Sequence, residues 1–169
     1  MELWDLYDIN LNPLHKTWER KPGKNNDLPE GEYHIVVDLL IRHADGDFLI
    51  TRRDTEKDIC PGMWEASAGG SAVAGETPEE AAYREMFEET GLKAEKLEYI
   101  DKTISERSHS IFFSYVAYVS CDKDSVVLQE GETIDYKWLN LDGFFKFLEE
   151  DNVLKSHNER YRKYIDTLR

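Results

Sequence analysis

Between Gly70 and Leu92 the chain reads GSAVAGETPEEAAYREMFEETGL, and this stretch restricts its folding most tightly. Thr77-Pro78-Glu79-Glu80 is a capping box: a threonine N-cap, a proline at the first helical position, and a glutamate three residues after the cap that can bond back to it. Gly91 stands where a helix C-terminus takes a left-handed residue. A helix is therefore expected over about Pro78 to Thr90. On it Glu85, Glu88 and Glu89 follow the i, i+3, i+4 spacing, so their carboxylates share one face. Like charges so placed weaken a helix by roughly a few tenths of a kcal/mol per pair. A divalent ion reverses that penalty, because hard oxygen ligands on a rigid scaffold are what Mg²⁺ prefers. Arg84 can reach Glu88 one turn on and hold carboxylates through its forked donors.

The flanking segments predict mostly strands. Tyr33 to Ile41 is an apolar run typical of a buried strand, and the turn Ala44-Asp45-Gly46 leads into a second, Phe48 to Arg52, making a hairpin. Leu97 to Thr103, Ile111 to Val119 and Ile134 to Leu139 are further strands. Trp4 to Ile9 and His15 to Arg20 predict an N-terminal hairpin within residues 3–20, and Lys21 to Gly31 reads as a loop. Asp142 to Glu149 predicts a short helix, and the amphipathic stretch Val153 to Leu168 a C-terminal one. The expected architecture is α/β, a mixed sheet packed between helices, with residues 1–169 forming one domain.

A formal net charge of −14 argues against sequence-independent binding to DNA or RNA, since no basic surplus exists to displace phosphate counterions. It also poses a puzzle for any phosphate-handling role, which clustered carboxylates resolve by binding cations that in turn bind phosphate. No apolar run approaches the length of a bilayer span, and Met-Glu-Leu-Trp-Asp carries acid where a leader peptide would carry base, so a cytoplasmic protein without membrane attachment is expected. Cys60 and Cys121 are far apart, in neither a metal nor a redox spacing, and read as free thiols.

The pattern Gly, five residues, Glu, seven residues, Arg-Glu, aliphatic, any, Glu-Glu, any, Gly, aliphatic is filled without departure by Gly70, Glu76, Arg84, Glu85, Met86, Glu88, Glu89, Gly91 and Leu92. It resembles the Nudix box, and the resemblance extends from about Trp4 to Leu141. It implies an α/β/α sandwich and a Mg²⁺-dependent pyrophosphohydrolase, with Mn²⁺ as the other candidate ion. Such an enzyme splits a diphosphate linkage in a small molecule, here of the nucleoside diphosphate type, by attack of water at phosphorus. By position, Glu88 and Glu89 would be metal ligands together with the Gly70 carbonyl. Glu85 would be a ligand or the general base, Arg84 would orient it, and Glu76 would brace the loop. Some members place the base on a later loop, where Glu132 is the candidate and Glu130 the next. From the residues themselves, Arg52 and Arg53 at the end of the second strand could hold the distal phosphate. Trp4, Tyr7, Trp18, His109 and Phe113 could line a slot for a base.

Glu32-Tyr33-His34, Leu49-Ile50-Thr51-Arg52-Arg53 and Pro61-Gly62-Met63-Trp64 are similar to the branch that includes type 1 isopentenyl-diphosphate isomerase. That enzyme shifts a double bond with a cysteine and a glutamate and holds its metal with three histidines and two glutamates. Counted from Trp64, the cysteine position falls on Gly69 and the neighbouring histidine on Ser71. His34 matches one histidine, but the partner seven residues earlier is Asp27, and the later acidic positions fall near Ser108 and Ser110. A glycine cannot protonate an alkene. Hydrolysis on an isomerase-like scaffold is thus preferred over isomerisation. A non-catalytic nucleotide-binding module is the third alternative, disfavoured because every box carboxylate is present. Pairing of the N-terminal aromatic segment across a homodimer stays open.

Overall fold

In the computed structural model, which describes residues 1–21 and 27–169, strand β3 (His34–His43) explains why helices lie on both sides of the sheet. Its odd-numbered side chains Ile35, Val37, Leu39 and Ile41 pack against Ala81, Ala82 and Met86 of helix α1 (Pro78–Thr90). On the opposite face Leu40 packs with Phe144 and Phe147 of α2 (Leu141–Leu148) and with Tyr164 and Ile165 of α4 (Arg162–Thr167). A strand buried on both faces needs the continuous apolar run that this sequence has. The result is an α/β/α sandwich. Residues 22–26 of the loop expected over 21–31 lie outside the described residues.

The remaining strands are β4 (Phe48–Arg53), β5 (Trp64–Glu65), β6 (Ala68–Ser71), β7 (Lys96–Ser105), β8 (Ser110–Val119) and β9 (Thr133–Leu139). The sheet runs β5-β4-β3-β8-β7, with β6 added to β3 and β9 to β4. β3 and β8 are parallel and the other pairs antiparallel, so the sheet is mixed. β3 changes partner along its length: Val36 to Leu39 pair with β6, whereas Arg42 pairs with Phe48 of β4. Where the partners change, the Ser67 hydroxyl bridges β3 and β4, and β6 meets Glu85 at Gly70 and Glu89 at Gly69. β1 (Leu3–Tyr7) and β2 (Pro13–Glu19) form the separate N-terminal hairpin, tied to the start of β3 by reciprocal Tyr7–Tyr33 backbone hydrogen bonds of 2.9 Å. Among the described residues no helix is long and apolar enough to cross a membrane.

α1 forms where its caps predict. The Thr77 hydroxyl accepts from the Glu80 N–H at 3.2 Å, and the Glu80 carboxylate accepts from the Thr77 N–H at 2.8 Å. Gly91 ends the helix at φ 70°. The C-terminal segment departs from its sequence pattern. Instead of one helix over 153–168 there are two short ones, α3 (Ser156–Arg160) and α4, joined at Tyr161. Two contacts account for this. Trp64 donates to the Asn152 carbonyl at 2.8 Å and accepts from the Leu154 N–H at 2.9 Å, which holds 152–154 extended against β5. The fully buried Tyr161 is packed into the core on the α2 side at the junction. Backbone pairing and burial of a tyrosine outweigh the propensity of a short polar segment to continue as helix.

Candidate active site

The site is built around two glycines without side chains. β6 runs beside α1, and a Cβ on Gly70 would collide with the Glu85 carboxyl, so only glycine lets that carboxylate rest against the strand. Gly69 faces the other side of the sheet; a Cβ there would strike the Val37 carbonyl oxygen and lie 3.3 Å from Asp38 Oδ1.

Arg84 organises the box side. Its Nε and Nη2 donate to the two oxygens of Glu76 at 2.6 and 2.9 Å, a forked pair. Nη1 donates to Glu85 Oε1 at 2.8 Å and to Glu88 Oε2 at 3.2 Å, and Nη2 also reaches the Ser71 carbonyl at 3.1 Å. Glu76 in turn accepts from the Val73 N–H at 2.9 Å, which ties the loop before α1 to the helix. The hydrogen bonds from Arg84 hold the Glu76 carboxyl below its usual range, and those to Glu76 raise Arg84 further. Burial pushes Glu85 up, against the opposing pull of Arg84.

Glu89 differs from its neighbours. Part of its side chain stays accessible, but its carboxylate is enclosed off the open edge of β6, where it accepts from the Gly69 N–H at 3.2 Å. Burial, then the charges of Glu65 and Glu85, push it well above the ordinary glutamate range. Every other carboxylate near it has a cation. Glu65 pairs with Arg53 at 3.2 Å, Glu132 with Lys57, Asp38 with Arg160 at 2.6 Å, and Glu85 with Arg84. Among the described residues Glu89 has none.

The structure thus brings Gly70, Glu76, Arg84, Glu85, Glu88 and Glu89 together, but it does not close the three helix glutamates into a preformed cage. Glu85 and Glu88 are both drawn to Arg84, Glu88 is exposed, and among the described residues no three acidic, histidine or cysteine side chains converge as a metal cluster. Of the phosphate candidates, Arg53 is committed to Glu65 and to the Ile59 carbonyl at 3.1 Å, whereas among the described residues Arg52 spends only its Nε, on the Gly62 carbonyl at 3.0 Å. Glu130 is exposed. Of the slot candidates, Trp4 is buried and stacks on His34 at 3.9 Å, and Tyr7 and Phe113 pack against the α1-side core. Trp18 packs with the hairpin, and His109 Nδ1 meets the Glu32 carbonyl at 2.9 Å. His34 itself is buried against the His109 carbonyl, and burial lowers it to about 4.

Sequence patterns alone do not single out Glu65, Asp38 or Arg160. A signal exists for Asp38: one acid inside the apolar run Ile35 to Ile41 requires a partner. Nothing local announces that the partner is 122 residues away.

A NUDIX domain model matches residues 32–167. The chain belongs to the Nudix family. It is 33% identical over 143 residues to an uncharacterized Nudix hydrolase of Listeria innocua, an alignment covering 82% of this chain and 80% of that one. It is also 34% identical over 110 residues to an isopentenyl-diphosphate Delta-isomerase of Corynebacterium diphtheriae, over 60% of each chain. A crystal structure of a Deinococcus radiodurans protein superposes with a TM-score of 0.72 at 20% identity, covering 96% of this chain and 99% of that one, which bears on fold alone. Nudix enzymes generally hydrolyse pyrophosphate bonds with a divalent ion such as Mg²⁺, and the chain is a Nudix pyrophosphohydrolase by that membership.

Proposed function

We propose that this Nudix hydrolase splits a diphosphate linkage in a nucleoside diphosphate-type substrate, with Mg²⁺ held by Glu88, Glu89 and the Gly70 carbonyl. The observation that carries the reading is the enclosed carboxylate of Glu89, which has no cation among the described residues. Glu89 is enclosed and partly accessible, Glu65 and Glu132 near it are each paired with one cation, and Glu85 shares the single charge of Arg84 with Glu76 and Glu88, so the position calls for a small cation of high charge. The donor set fits Mg²⁺, being all oxygen. A divalent ion held by these oxygens would supply charge neutralisation on the diphosphate.

The chain's own groups do the rest. Glu85 is the favoured proton acceptor for the attacking water: Oε1 is fixed by Arg84 and Oε2 has no protein partner among the described residues. Glu132 is the weaker candidate, since Lys57 holds it. Glu76 and Arg84 fix the loop and helix against each other so that the carboxylates do not move during the reaction. Arg52, whose Nη groups have no protein partner among the described residues, would take an outer phosphate oxygen.

The isomerase alternative has a steric argument against it. The position that would carry the proton-donating cysteine is Gly69, where a side chain meets the β3 backbone.

The deciding assay incubates the protein with a panel of nucleoside diphosphate compounds and Mg²⁺ and measures phosphate or pyrophosphate release. Hydrolysis should fall by about a hundredfold or more in Glu85→Gln, Glu88→Gln and Glu89→Gln, in line with losing a group that stabilises transition-state charge. Unchanged turnover in all three removes the assignment, conversion of isopentenyl diphosphate to its allylic isomer reverses the choice of reaction, and binding without turnover favours a sensor.

A further inference from the structure

We propose that Arg160, on the C-terminal helix α3, is a substrate-binding residue whose guanidinium takes a phosphate oxygen of the diphosphate gripped at Glu89. The proposal rests on the reading of the carboxylate site given above and adds a binding residue from outside the box.

Geometry places Arg160 at this site. Asp38 lies opposite Gly69 in the β3–β6 register, and the same glycine donates its N–H to Glu89. Arg160 Nη1 donates to Asp38 Oδ2 at 2.6 Å. The guanidinium, the Asp38 carboxylate, Gly69 and the Glu89 carboxylate therefore form one continuous run of neighbours around Gly69. Tyr161 supplies a second, independent indication. Its hydroxyl is fully buried and has no hydrogen-bond partner among the described residues, and it sits within the fields of Asp38, Arg160, Glu65 and Glu89 together. These four charged groups come from β3, β5, α1 and α3, and each acts on the same hydroxyl.

The way Arg160 is held distinguishes a binding group from a structural one. Arg84 makes five hydrogen bonds through all its nitrogens and has little left to offer a ligand. Arg160 makes one. Its Nε and Nη2 have no protein partner among the described residues, and its side chain remains 16% exposed while that of Asp38 is 5% exposed. The guanidinium also lies 3.7 Å over the Phe112 ring, so its plane is set by the ring on one side and by Asp38 at one edge. A planar fork, oriented but unsaturated, suits bidentate recognition of a phosphate. The overall charge adds weight: in a chain of net −14, with Arg53, Lys57 and Arg84 already committed, an anion at this site has Arg52 and Arg160 as cations with donors to spare. A buried ion pair gains little stability over apolar side chains of the same volume, so stability alone is a weak reason for Asp38 to stand inside an apolar strand. Orienting Arg160 is a sufficient one.

The test is binding of methylenediphosphonate, a non-hydrolysable diphosphate, in the presence of Mg²⁺ by titration calorimetry. Arg160→Gln, checked for folding by its thermal transition, should bind about tenfold or more weakly, as expected from losing charge-assisted hydrogen bonds. Arg160→Lys keeps the ion pair with Asp38 and so the fold, but loses the fork, and should show an intermediate loss. On a substrate that turns over, both variants should raise KM more than they lower kcat. Folded Arg160→Gln or Arg160→Lys binding as tightly as the parent overturns the proposal, and lost stability with unchanged binding does the same by making Arg160 structural. Glu89→Gln separates this outcome from failure of the metal reading. Should Glu89→Gln bind normally while the Arg160 variants do not, the metal assignment fails and the Arg160 assignment stands; the reverse pattern has the reverse meaning.

Discussion

On the Gly70 side of β6 and on its Gly69 side the protein handles buried negative charge in different ways. The α1 side crowds Glu76, Glu85, Glu88 and Glu89 around one arginine, and Arg84 saturates itself on the first three while Glu89 goes without. On the Gly69 side Asp38 is matched by Arg160 at 2.6 Å, with His157 Nε2 3.6 Å away, and Glu65, 3.9 Å from the same ring nitrogen, is matched by Arg53. One cluster is short of a cation and the other holds a cation with donors unspent. The contrast shows that burial of charge is not by itself a sign of function. What distinguishes a site is the residual imbalance: a deficit that a metal can fill next to a surplus that an anion can use.

The largest effect that sharpens this contrast is on the balanced side. Asp38→Asn should cost about 3–5 kcal/mol in urea denaturation, because it leaves Arg160 without its counter-ion in a largely enclosed position. The double replacement Asp38→Leu with Arg160→Met should recover most of that loss, as apolar groups of similar volume often do. If the double variant is as unstable as the single one, the pair is structurally required.

On the deficient side the sign reverses. In metal-free protein Glu89→Gln should raise stability, by about 1–3 kcal/mol, since it removes an enclosed carboxylate that has only one N–H for company. The pH dependence follows. The Glu89 carboxyl is raised in the folded state, so between the ordinary value near 4.5 and its folded value the native protein binds the extra proton, and stability falls as pH rises through that window. Glu89→Gln should reduce that slope, leaving the smaller contribution of Glu85 in the same direction. A metal-free melting curve in which Glu89→Gln is less stable than the parent at neutral pH breaks the comparison.

The smallest effect concerns the helix that carries the deficient cluster. Thr77→Ala should cost about 1 kcal/mol by loss of the N-cap, with the carboxylate geometry kept by Arg84. Thermal denaturation reads the cost, and unchanged Mg²⁺ dependence of hydrolysis reads the geometry.

Elements governed by short-range rules are legible in the amino-acid order. α1 lies where Thr77, Pro78, Glu80 and Gly91 predict, and β3, β4, β7, β8 and β9 lie within a few residues of their apolar runs, whereas the short β5 and β6 have no such run. The C-terminal segment escapes such rules because its pattern is amphipathic throughout, and only the backbone pairing of Trp64 with 152–154 and the burial of Tyr161 split it into two helices. Arg53 stands out as a phosphate ligand in the sequence because its neighbour Glu65 is twelve residues off and invisible as a partner until β4 and β5 pair.

Caps and the i, i+4 spacing act over a single turn of backbone, so a capped helix with three glutamates at neighbouring turns after Gly69-Gly70 can be read from residue order alone. Which acid meets which cation is set by packing across the whole chain. Asp38 finds Arg160, Glu65 finds Arg53 and Glu132 finds Lys57 across separations from 12 to 122 residues. The strength of each pairing depends on how far its surroundings exclude water, a property of the packed whole that no local stretch of chain carries.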